Sequence, residues 1–197
     1  MKGYKLLPRS FFMRDPAAVA YDLLGKLLVR KTDEHIFVGK IVEVEAYLAT
    51  GDSAAHSFKG ETLRTRSLYK DGGHAYVHSM RQYNLLDVVV GESGSAGSVL
   101  IRAVEPCEGI EYMKALAGTE DLEKIANGPG KVGRAFQITR VLDGIDLVDP
   151  NSVLILAEPI TSIDHEVEIT TRIGISTAQD MPLRFFIKDS KYISKKR

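Results

Sequence analysis

The sequence predicts an α+β fold, a single compact domain with a curved, mainly antiparallel sheet flanked by helices. Three observations predict it. Short β-branched runs mostly adjoin one another, the helical segments cluster around them, and the 197 residues hold no stretch long enough to be a linker. A doubly wound sheet would need strand and helix to alternate. Neither Gly-x-Gly-x-x-Gly nor a phosphate-loop Gly-Lys-Ser/Thr occurs, which argues against a nucleotide cofactor. Residues 1–197 therefore read as one domain.

Taken in order, Pro16–Leu24 reads as a helix, with Asp15 as its N-cap, proline in the first turn and Gly25 closing it. Leu27–Lys31 and Ile36–Tyr47 read as a hairpin turned at Thr32, Asp33, Glu34 and His35. Strands are expected at His74–Met80, Asn84–Val90 and Ser98–Val104, each bounded by glycine or turn residues. Helices are expected at Pro106–Ala117 and Lys131–Phe136, and further strands at Ser152–Leu156, Glu166–Thr171 and Arg184–Ile187.

Composition narrows the function classes. With 44% apolar and 26% charged residues the chain can bury a core, which excludes wholesale disorder. Apolar runs such as Val153–Ala157 are far too short to cross a bilayer. Arg9, Arg14, Asp15 and Asp22 interrupt the N-terminal segment, which is no signal peptide. The single cysteine, Cys107, removes an intrachain disulfide and a cysteine-based zinc site, and points to a reducing, cytoplasmic setting. Twenty-six basic residues balance twenty-six acidic ones, but they are segregated. Lys59, Arg64, Arg66, Lys70 and Arg81 form one basic cluster, and Arg184, Lys188, Lys191, Lys195, Lys196 and Arg197 another. Such clusters are either solvated surface or, if they converge, a phosphate-attracting face on a neutral protein.

The strand Ile41-Val42-Glu43-Val44-Glu45-Ala46-Tyr47 carries the most chemistry. At a period of two, Ile41, Glu43, Glu45 and Tyr47 share one face, and Val42, Val44 and Ala46 the other. That acidic face is either wet, or a cleft in which a carboxylate activates a nucleophile beside a stacking ring. In Ser98–Val104, Arg102 interrupts an aliphatic strand and needs acceptors, for which Glu43 and Glu45 are candidates. His74 and His78 on one strand stand ~13 Å apart, too far to share an ion, so no metal site is expected.

These residues resemble a known family. Ile-Val-Glu-Val-Glu-Ala-Tyr (41–47), Asp-x-Ala-Ala-His-Ser (52–57) and Val-Leu-Ile-Arg-Ala-Val-Glu-Pro (99–106) are similar to motifs of the alkyladenine (3-methyladenine) DNA glycosylases. Asn-Gly-Pro-Gly-Lys (127–131), Arg-Ile-Gly-Ile (172–175) and Pro-Leu-Arg-Phe-Phe (182–186) extend the resemblance over essentially the whole chain. It implies an enzyme that flips a damaged purine out of double-stranded DNA and hydrolyses its N-glycosidic bond with an activated water. The expected bases are 3-methyladenine and also hypoxanthine and ethenoadenine.

By the same resemblance Glu45 is the general base, while Arg102 and the backbone carbonyl of Ile173 hold the water. Tyr47 and His56 wall the base pocket, and Thr62, Lys131 and Arg140 contact phosphate, joined on charge grounds by Arg64 and Arg66. No lysine matches a Schiff-base role, so a monofunctional enzyme without a lyase step or cofactor is expected. A monomer in a bacterial cytoplasm is implied as well. Four positions depart from the family pattern. His78 replaces a pocket tyrosine, and Asp87 stands where an asparagine is common. Arg81 takes the place of a tyrosine wedge, and Tyr83, read as lying on the same strand face, could share that role. These changes keep open a second reading, a DNA damage-binding protein with weak or absent catalysis. A third reading is a hydrolase of free nucleosides.

Overall fold

The computed structural model describes residues 4–161 and 164–194; the basic residues Lys195, Lys196 and Arg197 lie outside them. One nine-stranded sheet runs through the molecule, and every strand pairing in it is antiparallel. The path is β1 (Tyr4–Leu6), β7 (Leu154–Pro159), β2 (Leu27–Lys31), β3 (Ile36–Tyr47), β6 (Gly97–Glu108), β5 (Tyr83–Val90) and β4 (Ala75–Met80). β9 (Arg184–Ile187) pairs with the end of β3 and carries β8 (Val167–Thr170) outside it. The helices α1 (Arg9–Phe12), α2 (Pro16–Leu23), α3 (Ile110–Ala117), α4 (Leu122–Ile125) and α5 (Pro129–Ala135) fall in two groups along the chain.

Local chemistry explains most boundaries. Asp15 accepts hydrogen bonds from the Ala17 and Ala18 amides at 2.9 and 3.2 Å and so caps α2, with Pro16 at its first position. Thr32 and His35 exchange backbone and hydroxyl hydrogen bonds that close the β2–β3 turn. β3 is long because it has work on both edges. β6 follows it from Val38 to Tyr47, while β2 takes the first half of the other edge and β9 the second half.

The β3–β6 ladder holds two compensating bulges beside the acidic residues. Ile41 faces Val104 and Glu43 faces Ala103, which leaves Val42 as the extra residue on β3. Val44 then faces Ile101, so Arg102 is the extra residue on β6. This corrects one expectation from strict alternation. Ile41 does not share the acidic face but joins Val44 and Ala46 in the main core, because the bulge at Val42 reverses the pleat.

Other boundaries also shift. Pro106 does not open a helix: β6 continues to Glu108, and α3 starts only after Gly109 at φ 77°. The reason is pairing, since Glu105, Pro106 and Glu108 face Lys40, Gly39 and Val38 on β3. Proline is tolerated there because the ladder is irregular, with Cys107 unpaired. α5 begins at Pro129 rather than Lys131, and Gly133 is required where the helix meets the Asn84 carbonyl of β5. Five short elements are additions to the predicted set: β1, α1, α4 and the 3-10 turns Arg66–Tyr69 and Arg140–Leu142.

Candidate active site

Three neighbouring strands present one face to a cleft of about 570 Å³. Alternate residues line it: Tyr76, His78 and Met80 from β4, Leu85 and Asp87 from β5, and Ser98, Leu100 and Arg102 from β6. Their neighbours Ala75, Val77, Leu86, Val88, Val99 and Ile101 are in the core behind the sheet. The remaining walls are Tyr47, the 53–56 turn, Pro129 and the 173–177 segment. Of the expected site residues, Tyr47, His56, His78, Asp87, Arg102 and Ile173 therefore surround one space.

Glu45 sits directly behind that wall, with no exposed surface. Its Oε1 accepts the Ile173 amide at 2.7 Å and lies 3.1 Å from Arg102 Nη1, while Oε2 accepts the Tyr47 hydroxyl at 3.1 Å. All three partners line the cleft. The acidic face is thus buried rather than wet. Burial pushes the Glu45 carboxyl above its ordinary pKa, and Arg102, the Ile173 amide and Tyr47 only partly offset this. Burial, Glu45 and Asp87 push the Tyr47 phenol well up, so it remains a hydrogen-bond donor.

Glu43, equally buried, anchors the guanidinium. Its Oε1 accepts from Arg102 Nε at 3.0 Å, Arg184 Nε at 2.6 Å and the Ser194 hydroxyl at 2.7 Å. Its Oε2 accepts the Ser194 amide at 2.6 Å. Two carboxylates and two guanidiniums therefore balance in the interior, which a buried charge requires. Burial alone would weaken the Arg102 charge, but Glu45 and Glu43 outweigh it and hold its pKa above the ordinary arginine value.

A second guanidinium fixes the walls. Arg172 makes a bidentate pair with Asp52, at 2.6 and 2.8 Å, and donates to the Ala46 carbonyl at 3.0 Å. Its guanidinium carbon stands 4.6 Å from the centre of the Tyr47 ring. Also in the lining, Tyr76 and His78 stack with ring centres 5.3 Å apart, and His56 meets His78 edge-on at 4.5 Å.

The remaining expected residues lie outside this cleft lining. Arg81 is exposed at the tip of the β4–β5 hairpin, and Tyr83 does not share a strand face with it. Met80 pairs with Tyr83, so Arg81 and Gln82 form a two-residue turn, with Arg81 at φ 53°. Tyr83 instead packs on α5, where a β-carbon at Gly130 would lie 2.7 Å from its ring. Arg64 reaches the Ser79 carbonyl at 3.4 Å, and Arg140 donates to the Val77 carbonyl, so both border the outer edge of β4. The Thr62 hydroxyl is held by Thr65 at 2.9 Å, and Lys131 Nζ donates to Asn127 at 2.6 Å. Among the described residues no three His, Cys, Asp or Glu side chains gather as a metal site. Nor is any helix there long and apolar enough to cross a membrane.

Glu43 was expected as an acceptor for Arg102, and it is one, but sequence reasoning assigned no role to Tyr76, Ser98, Arg172 or Ser194. The period-two pattern through Tyr76, His78 and Met80 could have found the first. Ser194 carries no signal, because only the folded chain brings its amide to Glu43.

The sheet face thus opens on aromatic walls above a buried carboxylate–guanidinium pair. The comparisons give the class: the family model described as methylpurine-DNA glycosylase matches residues 10–191, and the chain belongs to that family of DNA glycosylases. A relative from Methanoculleus marisnigri is 46% identical, covering 96% of this chain and 99% of its own. Another from Carboxydothermus hydrogenoformans is 41% identical, covering 97% of this chain and all of its own. Each bears the printed name "Putative 3-methyladenine DNA glycosylase".

Proposed function

We propose that the protein releases alkylated purines, 3-methyladenine foremost, from double-stranded DNA, acting as a monomer by hydrolysis at C1′ of a nucleotide turned out of the helix. The observation that carries this reading is Glu45: a fully buried carboxylate, raised in pKa, held against a cleft by Arg102 and Ile173. A carboxylate whose pKa lies above the ordinary glutamate value is a stronger proton acceptor toward water. In this reading Glu45 takes the proton and Arg102 keeps the carboxylate oriented. The Ile173 amide contacts Glu45 directly, and in this reading the Ile173 carbonyl helps hold the water. Glu45 lies one layer behind the wall, and the Arg102, Tyr47 and Ile173 groups that contact it line the cleft.

The flipped base stacks between Tyr47 on one side and His56 with His78 on the other. A purine that already carries positive charge leaves readily and is attracted by an aromatic face. Arg81 at the exposed hairpin tip fills the vacated stack, with Tyr83 as support for α5 rather than as the wedge. Thr62, Arg64, Lys131 and Arg140 face the backbone phosphates. Only a nucleotide already turned out of the stack can reach the cleft, so damaged bases, which unstack at lower cost, are favoured.

The test is incubation with duplex carrying one 3-methyladenine, followed by hot alkali and by borohydride. The expected result is an abasic site with no borohydride-trapped complex. A trapped complex would replace the water mechanism with amine chemistry. Turnover of the free nucleoside at a rate matching duplex would contradict a DNA substrate.

A further inference from the structure

One polar pair inside the cleft is left unsatisfied. His78 and Asp87 are each 4% exposed. Asp87 Oδ1 accepts the Ser98 hydroxyl at 3.2 Å. Asp87 Oδ2 stands 3.1 Å from His78 Nε2, yet off the line that a hydrogen bond needs. That oxygen and His78 Nδ1 are buried side-chain atoms without a hydrogen-bond partner. Both residues line the cleft. Native interiors rarely leave such atoms orphaned unless something else completes them.

Each orphan states what it lacks. A carboxylate oxygen is an acceptor, so the missing group at Oδ2 is a donor. A ring amine donates there, whereas a ring carbonyl would set two acceptors against each other. Positive charge on the ring polarises the amine further and makes the contact charge-assisted, which shortens and strengthens it. We propose that Asp87, steadied by His78 and Ser98, is the specificity-determining residue of the cleft and selects amino-bearing, cationic adenines over hypoxanthine, which carries a carbonyl at the same edge. This rests on reading the cleft as the base pocket.

His78 has a distinct part in this arrangement. Stacked on Tyr76 and met edge-on by His56, its ring is fixed in plane, and it keeps Nε2 beside Oδ2. It therefore stands beside the carboxylate without forming a hydrogen bond to it, and so acts as a positioning residue.

The experiment compares kcat/KM for duplexes bearing 3-methyladenine or hypoxanthine, using wild type and Asp87→Asn. The isosteric amide can donate to a carbonyl, so the 3-methyladenine to hypoxanthine ratio should fall by about tenfold to a hundredfold. A second measurement needs no variant and removes leaving-group differences: inhibition of wild type by free adenine and free hypoxanthine. Adenine should inhibit at the lower concentration. Release by both proteins with an unchanged ratio, or equal inhibition by the two bases, would overturn the selection while leaving the glycosylase reading intact. No release from either duplex by wild type would overturn that reading, and the selection with it.

Discussion

Arg172 and Asp52, 120 residues apart in sequence, meet as a bidentate pair in which neither side chain has exposed surface. The pair joins the turn that carries His56 to the segment that carries Ile173, and so ties the two walls of the cleft. Asp52 also accepts from the Leu48 and Ala54 amides at 3.1 Å each, which shapes the turn itself. Without the pair, the amide that contacts Glu45 would lose its registration against β3.

Asp52→Ala should therefore lower unfolding free energy by about 3–5 kcal/mol in a urea titration, because it leaves a buried guanidinium unpaired. Burial alone would raise the Asp52 pKa, but Arg172 and the backbone amides outweigh it and hold it below the ordinary carboxylate range. The stability this confers is present above the unfolded-state pKa of about 3.9. It is lost as pH falls through the depressed folded value. Wild type should show this acid loss and Asp52→Ala should lack it; equal stability of the two proteins at neutral pH would remove the clamp from the account.

The pH dependence of turnover follows from Glu45. Because burial raises its pKa, the ionised base is lost as pH falls through a value above the usual glutamate range. Tyr47→Phe keeps the ring but removes a hydrogen bond that favours the charged form. The acid limb of kcat/KM should begin above about pH 4.3 in wild type and move to higher pH in Tyr47→Phe. A limb that stays in place would show that the Tyr47 hydroxyl does not contact the base during catalysis.

Salt and the hairpin tip give a third check. Activity on duplex should fall steeply between low and moderate salt as phosphate contacts release counterions, while cleavage of a free nucleoside should not. Arg81→Ala should weaken lesion binding by roughly tenfold, in line with the loss of about one charge-assisted contact. The rate with lesion held in single-stranded DNA should be unchanged. Equal affinity for duplex lesion in both proteins would show that the tip does not enter the stack.

Much of the fold was legible because it rests on local signals. Asp15 and Pro16 start α2, Thr32 and His35 close a turn, and the β-branched runs set β3, β5 and β6. The misreadings share a cause, which is that partner strands rather than local propensity decide them. β6 runs through Pro106 because β3 is there to pair with it. Ile41 changes face because Val42 and Arg102 bulge against each other, and a bulge leaves no mark in a single strand's pattern. Within the site, the strand carrying Glu43 and Glu45 stood out because paired carboxylates on an apolar strand are costly. That Glu43 would be sealed by Arg184 and Ser194 depends on the chain's end returning to the sheet, which no spacing reveals.

The central claim is that the Glu45 carboxylate primes water while contributing little to ground-state binding. The most direct test is a single-turnover assay of Glu45→Gln on duplex 3-methyladenine, with lesion affinity measured on the same protein. Since loss of a general base typically costs about 10²–10⁴-fold, release should fall at least that far while affinity stays within severalfold of wild type. Release at the wild-type rate would contradict the account outright and return Glu45 to being only a buried partner of Arg102.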